Sequence, residues 1–105
     1  MTTVEVLRAA RELISDPAKW TQGAYARDEK GFQLCTGYDT GATCWCAIGA
    51  LEHIYASMSE LEAIRYLTLA VSEWPAKVND HKGHAAVLDM YDRAIALAEQ
   101  EEAAK

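Results

Sequence analysis

Apolar residues follow a helical period over most of this chain and lose it in one segment. They first recur at spacings of three and four between Thr3 and Ser15, and Thr2 with Glu5 has the spacing of a capping box. Pro17 restricts Asp16 to extended geometry, which favours the end of this helix and a short turn after it. The pattern therefore predicts a first helix followed by a turn.

The helical period is absent from residues 21–41. Glycines recur there without helical spacing, and apolar residues flank the polar tip Asp28-Glu29-Lys30-Gly31. We predict a short antiparallel hairpin in which Gly31 takes the left-handed turn position. Because an isolated hairpin is marginally stable in water, it is expected to pack against helices.

The most apolar stretch runs from Cys44 to Met58, with apolar residues nearly all round its helical wheel. This pattern predicts a helix in the middle of the fold. Gly49 in its interior costs about 1 kcal/mol relative to alanine, which suggests that another backbone approaches closely.

Two more helices complete the predicted fold. Ser59 with Glu62 has capping-box spacing and opens a helix that Pro75 closes or bends at its exit. One face of this helix carries Leu61, Ile64, Leu67, Val71 and Trp74. After a loop over residues 77–83, the last helix runs from about His84 into the acidic tail at residues 99–102.

The elements together predict a mainly α fold. We expect one domain over residues 1–105, a compact bundle of about four helices with a small β-hairpin between the first and second helices. No repeat or linker divides the chain.

Composition changes the picture only by exclusion. Sixteen acidic and ten basic residues give a net charge of -6, which argues against direct binding to nucleic acid or to an anionic membrane surface. No apolar run approaches the length of a membrane span, and the first residues lack the pattern of a secretory signal. A cytoplasmic location is predicted.

Three cysteines, Cys35, Cys44 and Cys46, cannot all pair within one chain, so reduced thiols packed as small apolar groups are predicted. A zinc site would need Cys44-x-Cys46 together with His81-x-x-His84. The spacing within each pair matches structural zinc sites poorly, so we predict neither a metal nor another cofactor.

A cysteine nucleophile is the second candidate chemistry. The thiol of Cys46 near a helix start would have a lowered pKa, with His81 or His84 as base and Asp80 as orienting carboxylate. His53 does not fit this role, because seven helical residues separate it from Cys46 by about 10 Å.

The tryptophans and the Asn79-Asp80 pair have both structural and functional interpretations. Tryptophan is either a core side chain or an interface anchor, and core packing is favoured for Trp45 and Trp74. Asn79-Asp80 is most simply a turn and the N-cap of the last helix.

Three short motifs resemble a family of small uncharacterised proteins from bacteria and their phages. They are Trp20-x-x-Gly23, Cys-Ala-Ile-Gly-Ala at residues 46–50, and Asn79-Asp80. The family pattern places a tryptophan directly before Asn-Asp, whereas Val78 stands there in this chain. The resemblance implies a phage or mobile-element context and no established activity.

Two functions stay open. The favoured one is a small non-catalytic interaction protein, a phage or mobile-element accessory protein or inhibitor of a host defence protein, which acts by binding another protein. Its predicted binding residues are Trp20, Gly23, Asp28, Glu29, Lys30, Asn79 and Asp80. The alternative is a small cysteine-dependent enzyme or small-ligand binder that uses Cys46 with His81 or His84 and Asp80.

Overall fold

The computed structural model describes residues 2–54 and 58–104, and helix predominates in them. The helices are α1 (Thr3–Leu13), α2 (Ala47–Ile54), α3 (Met58–Val71), α4 (Pro75–Lys82) and α5 (His84–Ala103). Three short strands are β1 (Ala26–Arg27), β2 (Gln33–Leu34) and β3 (Cys44–Trp45). The predicted mainly helical class is confirmed, with five helices in the described residues instead of about four.

The capping chemistry predicted for α1 is present. The Thr2 side chain accepts from the backbone N–H of Glu5, and the Glu5 carboxylate accepts from the N–H of Thr2. After α1, a 3-10 turn over Pro17–Lys19 begins at Asp16, whose carboxylate accepts from the N–H of Ala18 at 2.9 Å. The local signals fixed both elements because their partners lie within three residues.

The predicted hairpin exists but belongs to a three-stranded antiparallel sheet of order β2-β1-β3. Ala26 lies opposite both Leu34 and Trp45, and Gly31 has the positive φ of +85° expected in the turn. The prediction that the central helix begins at Cys44 is wrong. Cys44 and Trp45 supply the hydrogen bonds that the second edge of β1 needs, so helix α2 starts only at Ala47.

The predicted boundary between the second and third helices is also wrong. Met58 is the first residue of α3, so it does not end the central helix, and Ser59 lies inside α3 and does not precede it. Residues 55–57, which the prediction placed in the central helix, lie outside the described residues.

The buried face of α3 differs from the predicted stripe. Leu67 is buried with Ala63 and Tyr66, whereas Leu61 is 64% exposed and Trp74 is 54% exposed. Trp74 lies beyond the last residue of α3, so it cannot continue a stripe on that helix.

Helix α4 replaces the loop predicted over residues 77–83. Pro75 occupies its first turn, where the fixed φ of proline suits a helix start, and Val78 and Asn79 are buried on its inner face. Residues 77–82, whose helical signal is weak, thus fold as helix because α4 packs on α5 and α2.

Helices α1, α2, α3 and α5 enclose the core. Its fully buried larger side chains are Tyr91, Leu7, Ile14, Leu51, Leu67, Met90, Val6, Val78 and Val87. Within the part of the chain that is described, no helix combines the length and apolarity that crossing a membrane would require.

Candidate functional site

Asn79 uses the whole hydrogen-bonding capacity of its side chain to hold three segments together. The side chain is fully buried on α4, and its Oδ1 accepts from Trp20 Nε1 at 2.7 Å and from the N–H of Ala47 at 2.9 Å. Its Nδ2 donates to the carbonyl of Thr21 at 2.9 Å and to Asp80 Oδ1 at 3.2 Å. Two donors and two acceptor positions are all occupied.

The prediction that Asn79-Asp80 caps the last helix, α5, is therefore wrong. Asn79 caps the start of α2, because Ala47 is the first residue of that helix. Helix α5 has Gly83 at its N-cap and no side-chain cap. The carbonyl of Ala47 in turn accepts from the buried hydroxyl of Tyr91 at 2.6 Å, so α4 and α5 together fix the start of α2.

Asp80 binds the loop that follows the 3-10 turn. Its Oδ1 accepts from the N–H of Gly23 at 2.9 Å, and Gly23 has a φ of +76°. Gln22 completes the connection, because its Nε2 donates to the carbonyl of Asn79 at 2.9 Å. Gln22 was not among the predicted site residues, since an exposed glutamine in a loop carries no signal of its own.

Two glycine backbones bring the sheet against α2. A Cβ on Gly49 would lie 1.8 Å from the carbonyl oxygen of Tyr25, and a Cβ on Gly37 would lie 2.0 Å from the carbonyl oxygen of Gly49. The close approach predicted from Gly49 is thus confirmed. These contacts place the segment before β1 and the loop after β2 directly over the first turn of α2.

A pocket of about 380 Å³ opens between the sheet and α4, and we call it the α4 pocket. Its walls come from residues 23–25 and 33–35, from Cys46, and from Ala76, Asn79 and Asp80 of α4. Three of the predicted binding residues, Gly23, Asn79 and Asp80, therefore meet at one cavity, together with Cys46 of the alternative prediction.

The thiol of Cys46 lies buried in the wall of the α4 pocket. Burial raises the pKa of Cys46, and the negative charges of Asp80 and Glu52 act in the same direction. The backbone N–H groups of Gly49 and Ile48 lower it by a smaller amount. The lowered pKa predicted for a thiol at a helix start is therefore wrong, because desolvation outweighs the helix N-terminus.

The two histidines proposed as partners of Cys46 do not line the α4 pocket. His84 Nε2 lies 2.6 Å from the carbonyl oxygen of Ile14, and its ring lies 5.2 Å from that of Trp20. His81 is exposed on α4. Among the described residues, no group of three or more His, Cys, Asp and Glu side chains is placed to hold a metal ion.

The cysteines differ in environment. Cys46 is buried as predicted and Cys44 is half-buried, whereas the packed position predicted for Cys35 is wrong because this residue is exposed. Cys35 follows β2 and Cys46 follows β3, and these strands lie on opposite sides of β1, about 10 Å apart. That spacing exceeds the reach of a disulfide bond.

The hairpin tip, residues 28–32, is held by side chains that point inward. The Asp28 carboxylate accepts from the N–H groups of Lys30 at 2.9 Å and of Phe32 at 3.0 Å. Beneath it, the guanidinium of Arg27 donates to the carbonyls of Gln22 and Gly31 and to the Thr21 hydroxyl. The tip is thus a fixed turn.

Two aromatic side chains near the hairpin are exposed to solvent. Phe32 is 66% exposed and Tyr25 is 45% exposed. Trp45 is buried as predicted, with its ring 4.5 Å from that of His53, whereas the core position predicted for Trp74 is wrong. Trp20, one of the predicted binding residues, is partly buried, and its Nε1 donates to Asn79. It therefore stabilises the fold.

Comparison with known families covers nearly the whole chain. The model of the DUF6197 family, described as a family of unknown function, matches residues 1–97. The chain belongs to this family. The Asn79-Asp80 pair, the Cys46–Ala50 motif and Trp20-x-x-Gly23 all lie inside the part that matches DUF6197.

Other comparisons add no relative to this DUF6197 protein. No curated protein matches it, and no solved structure matches it. Membership of DUF6197 agrees with the resemblance to an uncharacterised family, whereas a bacterial or phage origin stays a prediction.

Proposed function

We propose that this protein is a non-catalytic binding protein whose hairpin tip contacts another protein. The observation that carries the proposal is Phe32, a large apolar side chain left exposed on a turn that is otherwise fixed by hydrogen bonds. Aromatic residues in such positions are typical interface anchors.

The order of the turn supports binding because it reduces the entropy lost on association. The backbone closes twice, from the N–H of Gly31 to the carbonyl of Asp28 at 2.9 Å and from the N–H of Asp28 to the carbonyl of Phe32 at 3.0 Å. The Asp28 carboxylate accepts two more hydrogen bonds, from the N–H groups of Lys30 and Phe32. A partner therefore meets a preformed surface.

The roles of the predicted tip residues divide accordingly. Glu29 and Lys30 are exposed and free to meet a partner beside Phe32, next to a shallow depression that Gly41 and Thr43 also line. Asp28 acts through the backbone of the turn, so we assign it a positioning role.

The state of Cys46 favours binding over the cysteine-dependent alternative. Its pKa is raised by burial, so the thiol stays protonated at neutral pH, and neither His81 nor His84 lines its pocket. A protonated thiol is a poor nucleophile.

The nature of the partner rests on the sequence resemblance. We propose a host protein as partner and a phage or mobile-element accessory protein, acting as an inhibitor in the host cytoplasm, as the role of this chain. The net charge of -6 is consistent with a protein partner in preference to nucleic acid.

Phe32→Ala tests the binding surface. The tagged protein is used to capture proteins from a bacterial lysate, and each captured protein is quantified by mass spectrometry. We expect Phe32→Ala to lower the recovery of a specific partner at least tenfold, because removal of an aromatic anchor costs about 2 kcal/mol or more.

Leu61→Ala is the matched control, since Leu61 is equally exposed but lies on α3. It should recover the partner as the wild type does, and both variants should melt like the wild type. Equal recovery with Phe32→Ala and with the wild type would contradict the proposal, as would equal loss with both variants.

A further inference from the structure

The α4 pocket is separate from the proposed docking surface, because none of the tip residues 28–32 lines it. Its volume of about 380 Å³ lies at the lower end of the range for small-molecule sites, about 300–1,000 Å³. It therefore has room for one small group, and its chemistry can be considered independently of the hairpin.

Asp80 supplies a carboxylate oxygen in a fixed position at this pocket. Its Oδ1 is held by the N–H of Gly23 at 2.9 Å and by Asn79 Nδ2 at 3.2 Å. Nothing in residues 2–54 or 58–104 donates a hydrogen bond to its Oδ2. One oxygen thus orients the group and the other is left to accept.

Negative charge dominates the pocket wall. Of the described residues, Asp80 is the one with a formal charge that lines the pocket. The charged groups that act on the Cys46 thiol in that wall are Asp80 and Glu52, both negative. The nearby Arg27 has its guanidinium bound to the carbonyls of Gln22 and Gly31, and it does not line the pocket.

Beside Asp80, the polar side chains of Gln33 and Asn79 line part of the pocket, and much of the rest of the wall is apolar. Tyr25 exposes nearly half of its surface, and Leu34 and Ala76 lie on the same cavity. Such a surface suits an aliphatic chain that leads to a cation, and an aromatic ring can attract that cation through its π face.

We propose that the α4 pocket binds a guanidinium or ammonium group carried on a short apolar chain. The cation lies against Asp80 Oδ2, and its chain packs on Tyr25, Leu34 and Ala76. The same chemistry is found in a free alkylamine or alkylguanidine and in an arginine or lysine side chain of a bound protein.

Butylguanidinium and its neutral isostere butylurea test the proposal. Each is titrated into the folded protein, and binding is followed by NMR at the backbone amides of Gly23 and Ala76. We expect saturable shifts with butylguanidinium and at least tenfold weaker binding of butylurea, because a charge-assisted hydrogen bond is lost. Absence of saturable shifts, or equal affinity for the two probes, would overturn the proposal.

Asp80→Asn is the decisive variant. The amide oxygen can still accept from Gly23, so the loop keeps its contact, while the charge is removed. The affinity of Asp80→Asn for butylguanidinium should fall at least tenfold, to the level of the affinity for butylurea. The control variant Asp89→Asn, which removes an exposed charge on α5, should bind butylguanidinium like the wild type. Unchanged binding in Asp80→Asn would count equally against the pocket.

Two further experiments distinguish a small-molecule ligand from a protein side chain, and the pocket proposal from the docking proposal. A capped pentapeptide with a central arginine should bind more tightly than butylguanidinium where a protein side chain is the ligand, and more weakly where it is a small molecule. Phe32→Ala should bind butylguanidinium like the wild type. Failure of partner capture with intact probe binding therefore removes the docking proposal alone.

Discussion

At the scale of the residue, Asn79 joins the segments that form the α4 pocket. One amide contacts Trp20 and Thr21 in the first loop and Ala47 at the start of α2. Because these partners are buried or partly buried, removing the amide leaves them without the hydrogen bonds that water supplied in the unfolded chain. The residue therefore stabilises the fold and shapes the pocket at once.

We expect Asn79→Ala to lower the free energy of unfolding by about 3 kcal/mol, since each buried polar group left unpaired costs about 1–3 kcal/mol. Urea denaturation monitored by circular dichroism measures the change. Gln100→Ala, which truncates an exposed amide on α5, should shift stability by less than about 0.5 kcal/mol. A loss in Asn79→Ala as small as that in the control would show that the network contributes little.

At the scale of the element, the sheet and α2 are in contact through backbone. The carbonyl of Tyr25 lies where a Cβ on Gly49 would stand, and it also accepts from the N–H of Cys46 at 3.1 Å. Glycine is unfavourable inside a helix, but the missing side chain of Gly49 lets the backbone of Tyr25, next to β1, lie directly on α2.

Gly49→Ala separates helix propensity from packing. Propensity alone predicts a gain of about 1 kcal/mol, whereas the clash with the Tyr25 carbonyl predicts a loss of about 3 kcal/mol or more. Thermal and urea unfolding distinguish the two signs. Gly41→Ala, whose new Cβ would meet only the Asp39 side chain at 3.2 Å, should cost less than about 1 kcal/mol.

At the scale of the whole molecule, burial decides the ionisation of Cys46. The folded protein keeps the thiol protonated because its pKa is raised by desolvation, while in the unfolded chain it titrates near pH 8.5. Above that pH the unfolded state binds fewer protons than the folded state. The contribution of the protonated Cys46 thiol to the free energy of unfolding is therefore complete below about pH 8.5 and is lost as the pH rises.

We accordingly expect the free energy of unfolding to fall as the pH rises above about 8.5, by at most about 1.4 kcal/mol per pH unit from this one proton. Denaturation at a series of pH values gives the profile. Cys46→Ala should have a shallower profile over the same interval. Parallel profiles for the two proteins would show that the thiol is not protected by the fold.

The local parts of the fold could be predicted because their causes lie close together in the sequence. The capping box of Thr2 and Glu5, the end of α1 before Pro17 and the turn at Gly31 each depend on residues within a few positions of one another. Gly49 also signalled a close backbone contact, although the sequence did not reveal its partner, Tyr25.

Elements whose stability comes from distant partners were predicted wrongly. Cys44 and Trp45 are apolar enough for either helix or strand, and β1 decides between them by pairing. Helix α4 forms because Asn79 and Val78 are buried against other helices, which no local pattern displays.

The sequence by itself determined a mainly helical chain with one irregular segment, and it singled out Gly23, Asn79 and Asp80 as notable. Only the tertiary structure decided that these residues meet at one pocket, that Asn79 caps α2, and that burial raises the pKa of the Cys46 thiol. The reason is that hydrogen bonds across 32 or more positions and the loss of solvent around a thiol depend on chain packing, which local residue preferences do not contain.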